Sequence, residues 1–409
     1  MNDVTPLRRN RDFQLLWVGQ ALSQLGGNVS ALAFPLLVLA TTHSPAKAGL
    51  SGLAATAPFV LLQLPLGAYV DRWNRRATML VCDAGRALAV GSLVVAGLVA
   101  SVTYVHILCV AVTEGSFFVA FRLAEAAVLR QVVPDERQLA DAIAANEGRA
   151  YGTSLAGDPL GGLLFGIRPT LPFFFDAISY LASFVTVSAI RTPLPAPPQR
   201  EARHLWREIR EGLALAWNNH FLRNTAFLTT ASDFVINGFF LIAIVIATTA
   251  GASSTEVGVM MALGAAGGIL GAVTAPLVQR KVKSLRVVVA GTIWVGVPSL
   301  LAAAWTTNPL LLGALLGAIL FPYPSLNAVA VSRWMAQIPD EQMGRVQAAT
   351  ALLGWAPVPF APLAGGLLVD AAGGTSTVLI FATILLLTAL AATWNPAIRR
   401  ESHSKLASA

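Results

Sequence analysis

The run Gly67-Ala68-Tyr69-Val70-Asp71-Arg72-Trp73-Asn74-Arg75-Arg76 places one aspartate and three arginines between two long apolar stretches. The stretch before it, 46–70, and the stretch after it, 77–99, are each long enough for a helix of about 20 residues that crosses a bilayer. Charged residues favour the membrane surface over the hydrocarbon. We therefore predict two membrane-spanning helices joined by this charged loop.

The composition of the whole chain supports the same interpretation. Of its 409 residues, 55% are hydrophobic and only 12% are charged, about half of the roughly 25% charged residues that soluble domains carry. The apolar runs are long and continuous, as in Val378–Thr393, whereas a transmembrane barrel would show short alternating segments. The chain is expected to be an all-α membrane protein, and its net charge of +7 to reflect basic loops rather than a nucleic-acid partner.

Charge clusters, proline and glycine turns and capping signals divide the chain into twelve predicted spans. They are 13–40, 46–70, 77–99, 104–127, 139–165, 171–190, 222–249, 256–279, 286–305, 309–333, 344–370 and 374–394. We expect residues 1–190 to form one six-helix bundle and residues 222–409 a second one with a short cytoplasmic tail. The proline-rich linker 191–221 should carry an amphipathic helix that lies on the cytoplasmic surface.

Basic residues lie in alternate connections, which indicates the orientation. One set starts with the N-terminal arm, includes the long linker, and holds Arg8, Arg9, Arg11, Arg72, Arg75, Arg76, Arg130, Arg137, Arg280, Lys281, Lys283, Arg286, Arg399 and Arg400. The other set holds essentially Lys47 and Arg168. We expect a bacterial inner-membrane protein with both termini in the cytoplasm.

Two short motifs recur at nearly the same spacing, which predicts an internal repeat. Pro134-Asp135-Glu136 returns as Pro339-Asp340-Glu341, and Gly161-Gly162-Leu163-Leu164 returns as Gly365-Gly366-Leu367-Leu368. Parallel six-helix repeats with a site between the halves at mid-membrane are typical of rocking transporters.

The charged loop matches every position of the signature G-x-x-x-D-R-x-x-R-R, and so the chain resembles the major facilitator superfamily. With Asn10–Trp17, Asp83 with Arg86, and Asp176 with Ser179, it is similar to the branch that contains bacterial macrolide-efflux and enterobactin-export proteins. The resemblance implies a conformational latch that holds the cytoplasmic side closed, formed by Gly67, Asp71, Arg72, Arg75, Arg76 and Arg86. A merely solvated basic loop is the alternative.

The sequence departs from this family at two positions. Exporters of the family carry G-P-x-x-G-G in span five, where this chain has Gly157-Asp158-Pro159-Leu160-Gly161-Gly162. Asp158 therefore replaces a proline and adds an ionisable group. Gly27 stands where relatives often have an aspartate in span one.

Carboxyl groups predicted inside the bilayer are the candidates for proton coupling. A charge at the centre of the bilayer costs about 2.5–3.5 kcal/mol, so each needs a partner, a watery cavity or a proton. Asp233 and Glu114 fall near mid-depth and Asp158 toward the outer half. The alternative is structural pairing among charged residues of the same bundle, which we expect for Arg122, Glu125, Glu147 and Arg149.

Polar and aromatic residues on the same spans are candidates for the substrate cavity. Gln20, Gln24 and Asn28 share one helix face at intervals of four, and Asn237 follows Asp233 by one turn. Phe118 and Phe240 could receive an apolar ligand. Hydrogen bonding between helices is the alternative for the polar stripe, and contact with lipid or packing is the alternative for the aromatic residues.

The leading hypothesis is proton-coupled export of small, largely apolar compounds by a monomer in the lipid bilayer. No G-x-x-x-x-G-K-[ST] phosphate loop occurs in the sequence, and no cofactor, metal or enzymatic activity is expected. Uptake or exchange of a small metabolite is the alternative within transport. A membrane enzyme, a lipid-handling protein or a sensor is less favoured, because no nucleophile–base pair or ligand cluster is evident.

We predict that reporters fused to the two chain ends lie on the same, cytoplasmic, side of the membrane. The even number of spans and the distribution of basic residues both require it. Fusions of a phosphatase active only outside the cytoplasm and of a fluorescent protein active only inside it measure this. Opposite locations of the two ends would contradict the twelve-span topology.

Overall fold

The computed structural model describes residues 6–70, 72–99, 102–193, 220–281, 285–328 and 354–394, with Ala214, Trp217 and Asn218 between them. These parts of the chain are helical and contain no strand. The helices are α1 Arg11–Thr42, α2 Pro45–Val70, α3 Arg75–Val99, α4 Tyr104–Val132, α5 Glu136–Ile167, α6 Leu171–Ser188, α7 His220–Thr249, α8 Ser254–Lys281, α9 Leu285–Ala303, α10 Pro309–Leu320 and α11 Phe360–Trp394.

Local capping explains where several of these helices begin. The Asn10 side chain accepts a hydrogen bond from the Phe13 amide at the start of α1. Asp135, from the first copy of the repeated Pro-Asp-Glu motif, does the same for the Arg137 amide at the start of α5. Each side chain satisfies a backbone donor that the first helical turn leaves open. The second copy of the motif lies outside the described residues.

The helices correspond to the twelve predicted spans of an all-α membrane protein. Within the described ranges, nine helices are long and apolar enough to cross a membrane. The helix α5 is long but less apolar, and α9 holds a shorter apolar segment, Ala290–Ala303. The eleventh and twelfth spans meet inside α11 at Gly373, whose φ of 81° interrupts the helix in a region that favours glycine.

The chain divides into two units. Unit 1 comprises Met1–His43, Leu50–Glu201 and Ser253–Ala262, and unit 2 comprises Ser44–Gly49, Ala202–Ala252 and Leu263–Ala409. The short segments at the starts of α2 and α8 are thus grouped apart from the rest of their helices. The predicted amphipathic helix of the linker lies almost wholly outside the described residues, and the boundaries 1–190, 191–221 and 222–409 stay a prediction.

In unit 1, α1 packs on α5 and α6, and α3 packs on α4 and α6. Two glycines of α1 allow its close approach to α6. A Cβ atom at Gly19 would lie 2.0 Å from Thr186 Oγ1, and one at Gly26 would lie 2.1 Å from Ser179 Oγ. Small residues at such contacts take the place of hydrophobic burial, which does not drive helix association in lipid.

In unit 2 the helices pair in the same order as in unit 1, and apolar side chains lie in the contacts between them. The helix α7 packs on α11, α11 on α9, and α9 on α10. The rings of Phe234 and Phe381 stack with centroids 6.2 Å apart, and Gly296 faces Leu385. The pairing repeats that of α1 with α6, α6 with α3, and α3 with α4, as expected from an internal repeat.

We predict that Gly161→Ala lowers the unfolding temperature of the purified protein. Its Cβ would lie 2.6 Å from the Val29 carbonyl oxygen of α1, and relieving such a clash typically costs about 1–3 kcal/mol. Gly152→Ala on the same helix is the matched control, since no atom lies within 4 Å of its added Cβ. Thermal unfolding in detergent measures both, and equal melting temperatures would contradict the close approach of α5 and α1.

Candidate functional site

A buried charged network in unit 1 is centred on Arg86. The guanidinium is only 5% exposed and donates to Glu114 Oε1 from Nη2 at 2.6 Å and from Nε at 3.1 Å. Nη2 also donates to Tyr180 Oη at 2.6 Å, and this hydroxyl donates to Glu114 Oε1 at 3.1 Å. Each corner of the triangle therefore hydrogen bonds to the other two, and α3, α4 and α6 meet there.

The rings next to Arg86 complete its surroundings. Its guanidinium carbon lies 4.0 Å from the centroid of the Tyr180 ring and 5.4 Å from that of Phe118. Contacts between a guanidinium and an aromatic face are attractive, and more strongly so when water is excluded. Phe118 is 37% exposed, so the network is closed on one side by a side chain that is itself accessible.

Asp176 extends this network toward α1. The carboxyl is fully buried, and its Oδ2 accepts a hydrogen bond from Ser30 at 2.5 Å, while Ser179 donates to Oδ1 at 3.3 Å. A Cβ at Gly26 would lie 2.7 Å from Oδ1. The glycine that brings α1 close to α6 is therefore also the one that makes room for this carboxyl.

Asp83 lies one turn before Arg86 on α3 and is also fully buried. Its Oδ2 accepts a hydrogen bond from Ser183 at 2.7 Å, and the Ser183 hydroxyl accepts one from Gln20 at 3.2 Å. Its Oδ1 has no hydrogen-bond partner within the described part of the chain.

A second buried ion pair joins α5 to α4. Arg149 donates from Nη2 to Glu125 Oε1 at 3.0 Å and from Nε to Gln24 Oε1 at 3.2 Å. The two charged side chains are 4% and 12% exposed. This arrangement agrees with the structural pairing expected for these two residues.

The other predicted members of such pairs differ from the expectation. Arg122 and Glu147 form no salt bridge with any residue that the structure describes. Glu147 is exposed, and the Arg122 guanidinium lies 5.5 Å from the ring centroid of Phe59. Arg122 is exposed as well. Glu114, a proton-coupling candidate, is instead the partner of Arg86.

The candidate residue in unit 2 is Asp233 on α7. It is half-buried, and its Oδ1 accepts a hydrogen bond from the Tyr323 hydroxyl. Asn237 donates to the Asp233 backbone carbonyl at 2.8 Å, so its amide is used within its own helix. The partner of Asp233 is thus a hydroxyl group. Asp233 forms no salt bridge with any of the described residues.

The remaining cavity candidates divide between packing and exposure. Gln20 and Gln24 form the interhelical hydrogen bonds described above, which was the alternative for this polar stripe. Asn28 packs against α5, where a Cβ atom added to Gly157 would lie 2.4 Å from the Cβ atom of Asn28. Phe240 is half-buried, and so is Asp158.

The predicted latch is only partly described. Asp71 lies outside the described residues. Gly67 has open space where a Cβ would stand, Arg72 is exposed, and Arg76 donates to the Ser188 carbonyl. Arg75 Nε is buried without a partner in the described chain. Arg86, the predicted latch residue of span three, hydrogen bonds to Glu114 and Tyr180 in the buried network.

Sequence reasoning missed the hydroxyl groups that complete these sites. Tyr180 and Ser183 follow Asp176 at intervals of four and three on α6, which places all three on one helix face. Ser30 and Tyr323 gave no separate signal, because single hydroxyl residues are common in membrane helices. A polar stripe on α6 opposite one on α3 is the pattern that would have found the first two.

The chain matches the family model of the Major Facilitator Superfamily over residues 16–357. It is 26% identical over 399 residues to the multidrug efflux pump Tap of Mycolicibacterium fortuitum, covering 94% of this chain and 96% of the relative. The multidrug efflux pump Tap of Mycobacterium tuberculosis is 25% identical over 398 residues, with coverage of 94% and 93%.

Two solved structures share the fold at low sequence identity. A bacterial homologue of the human lysosomal transporter Spinster has a TM-score of 0.70 and 14% identity, covering 96% of this chain and 98% of that one. The nucleoside transporter NupG has a TM-score of 0.72 and 12% identity, with coverage of 94% and 98%.

We predict that Glu125→Leu destabilises the protein by about 3–5 kcal/mol, because it leaves the buried Arg149 guanidinium without its counter-charge. The double variant Glu125→Leu/Arg149→Met should recover most of this loss, since an apolar pair of similar volume replaces both charges. Thermal unfolding in detergent measures the stability of the wild type, the single variant and the double variant. A double variant no more stable than the single one would contradict a mainly structural role for the pair.

Proposed function

This chain belongs to the major facilitator superfamily, and we propose that it exports small, largely apolar compounds in exchange for protons by alternating access. It is a multi-pass membrane transporter and not an enzyme. The direction of transport, the use of protons and the class of compound belong to the proposal.

The similarity to efflux pumps supports export. The relatives named multidrug efflux pump Tap match along 94% of this chain, at 25–26% identity. Multidrug export requires a site that accepts apolar molecules through aromatic and aliphatic surface with a few polar groups. Half-exposed aromatic side chains such as Phe118, beside Arg86 and Glu114, provide both kinds of surface in unit 1.

The hydrogen-bond partner of Asp233 is the observation that supports proton coupling. A carboxylate within a membrane-spanning helix needs a cation or water to stabilise its charge, or a proton to remove that charge. Asp233 has the Tyr323 hydroxyl as its hydrogen-bond partner, and a hydroxyl stabilises either form of the carboxyl group without supplying charge. We infer that the Asp233 carboxyl carries a proton in one part of the cycle, and that in another part it is ionised and faces a weakly cationic compound or water.

The same carboxyl can couple the two fluxes. Proton binding removes its negative charge and lowers its affinity for a cation, while proton loss does the reverse. Entry of a proton from outside therefore favours release of the compound. Glu114 is less suited to this role, because its Oε1 already accepts hydrogen bonds from Arg86 and Tyr180. Asp158 remains a second candidate, half-buried on α5.

We propose that the protein lies in the bacterial cytoplasmic membrane with both termini in the cytoplasm and acts as a monomer. The alternate distribution of arginines supports this orientation. Both six-helix sets of the repeat are present in a single chain, so a transport pathway needs no second copy.

We predict that Asp233→Asn abolishes uphill transport driven by a pH gradient. The test uses inverted membrane vesicles that are acidified inside, with ethidium as a fluorescent lipophilic cation. Vesicles with the wild-type protein should accumulate ethidium, and a proton ionophore should stop it. Asp141→Asn, at an exposed position on α5, is the control and should behave like the wild type.

Two outcomes would contradict the proposal. Wild-type accumulation by a correctly folded Asp233→Asn variant would exclude Asp233 as the coupling group. Counterflow of a metabolite by the wild-type protein, without any dependence on the pH gradient, would instead favour uptake or exchange.

A further inference from the structure

We propose that Asp83 on α3 is a second proton-binding group of the transport cycle, and that loss of its proton draws Arg86 away from Glu114. This inference rests on the proposed proton-coupled function and assigns it a residue in unit 1.

The surroundings of Asp83 favour a neutral acid in the described state. The side chain has no exposed surface, and one hydrogen bond, from Ser183 at 2.7 Å, reaches it. The other oxygen has no partner in the described chain. An ionised carboxylate in such a place would lose its hydration with only one donor in return, which is strongly unfavourable.

Two charged groups on the helices next to Asp83 are already bound to other residues in this state. Arg86 lies one turn further along α3, and Glu125 lies on the neighbouring α4. The Arg86 guanidinium is bound by Glu114 and Tyr180, and Glu125 carries the same sign of charge and pairs with Arg149. From α1 and α6 the neighbouring polar groups are the neutral Gln20 and Ser183.

The fold itself does not require an acid at this interface. In unit 2, α9 and the second part of α11 pair as α3 and α6 do in unit 1, and residues 287–303 and 374–394 contain no charged side chain. That pair is held by Trp294, which donates to Thr393 at 3.0 Å, and by Leu385 against Gly296. Because the second copy of the repeat pairs these helices without any charged side chain, the unfavourable burial of Asp83 is better explained by transport than by packing.

The position of Asp83 relative to Arg86 suggests how its titration acts. The two residues are three positions apart on α3, and side chains at this spacing lie on the same helix face. Breaking the O–H bond of Asp83 transfers a proton to water and leaves a carboxylate on that face. This carboxylate then competes with Glu114 for the guanidinium. Release of Arg86 leaves Glu114 with its charge available to a cationic compound.

The coupling also has a conformational consequence. Arg86 joins Glu114 on α4 to Tyr180 on α6, so its movement would loosen the contact of both helices with α3. Protonation of Asp83 restores the network. A buried group that selects between two hydrogen-bonded arrangements is the kind of element through which a proton biases a conformational equilibrium.

The experiment measures proton release when ethidium binds to purified protein in weakly buffered detergent solution with a pH-indicator dye. Wild-type protein should release protons, and Asp83→Asn should release less, by the equivalent of a single carboxyl group. Asp233→Asn should show a separate deficit, and the double variant should show both. Asp141→Asn is again the exposed control and should match the wild type.

The outcomes separate this inference from the function on which it rests. Absence of proton release from the wild-type protein would refute proton coupling as a whole. Normal release by the wild type together with the same release by folded Asp83→Asn would overturn the role of Asp83 and leave proton coupling standing.

A second variant decides the case if Asp83→Asn does not fold. Ser183→Ala keeps the carboxyl but removes its hydrogen-bond donor, so the pH dependence of ethidium-induced proton release should shift. Ser92→Ala on α3, whose hydroxyl donates to the Ala89 carbonyl of its own helix and contacts His106, is the hydroxyl-deletion control and should keep the wild-type profile. An unchanged profile in Ser183→Ala would overturn the proposal.

Discussion

Arg86 holds a full positive charge at a place where its guanidinium is almost completely withdrawn from solvent, and the organisation of unit 1 follows from how that charge is satisfied. Glu114 supplies the negative charge, Tyr180 supplies a hydroxyl and an aromatic face, and each comes from a different helix. A membrane helix cannot leave such a group unpaired without a penalty of several kcal/mol. The network therefore fixes the rotation of α3, α4 and α6 about their axes.

The close approach of the helices makes this network possible. Gly19 and Gly26 let α1 approach α6, and the same approach brings Ser30 to Asp176 and Gln20 to Ser183. The small residues thus allow the helices to come close enough for the polar side chains to form hydrogen bonds between them. In lipid, where apolar surfaces gain little by meeting each other, van der Waals packing and interhelical hydrogen bonds provide most of the association energy.

The two units use the same helix pairing for different chemistry. Unit 1 places arginines and carboxyl groups where its helices meet. In unit 2, residues 287–303 of α9 and 374–394 of α11 carry no charged side chain, and Asp233 lies on α7 with Tyr323 as its partner. An internal repeat supplies two copies of a scaffold, and after duplication each copy is free to lose or keep its ionisable groups. Unit 1 thus holds a network of charged side chains, whereas Asp233 in the described part of unit 2 has a hydroxyl as its partner.

The long apolar runs, and the charge clusters and turn signals between them, were enough to predict an all-α membrane protein with twelve spans. The thickness of the bilayer sets the length of a span, and the need to satisfy every backbone hydrogen bond inside it leaves few alternatives to a helix. The charged loop at Gly67–Arg76 was enough to indicate the family. The sequence also identified most of the ionisable residues that matter, since any charge inside a predicted span is conspicuous.

Only the tertiary structure decided which of these residues meet. Arg86 was predicted as the span-three member of the latch, and its hydrogen-bond partners lie 28 and 94 positions away along the chain. Arg122 and Glu147 were assigned to ion pairs that the described structure does not contain. A helical sequence shows which face carries a charge but not which neighbouring helix that face meets. That choice depends on the rotation and approach of packed helices, which glycines such as Gly26 set through contacts far apart in sequence.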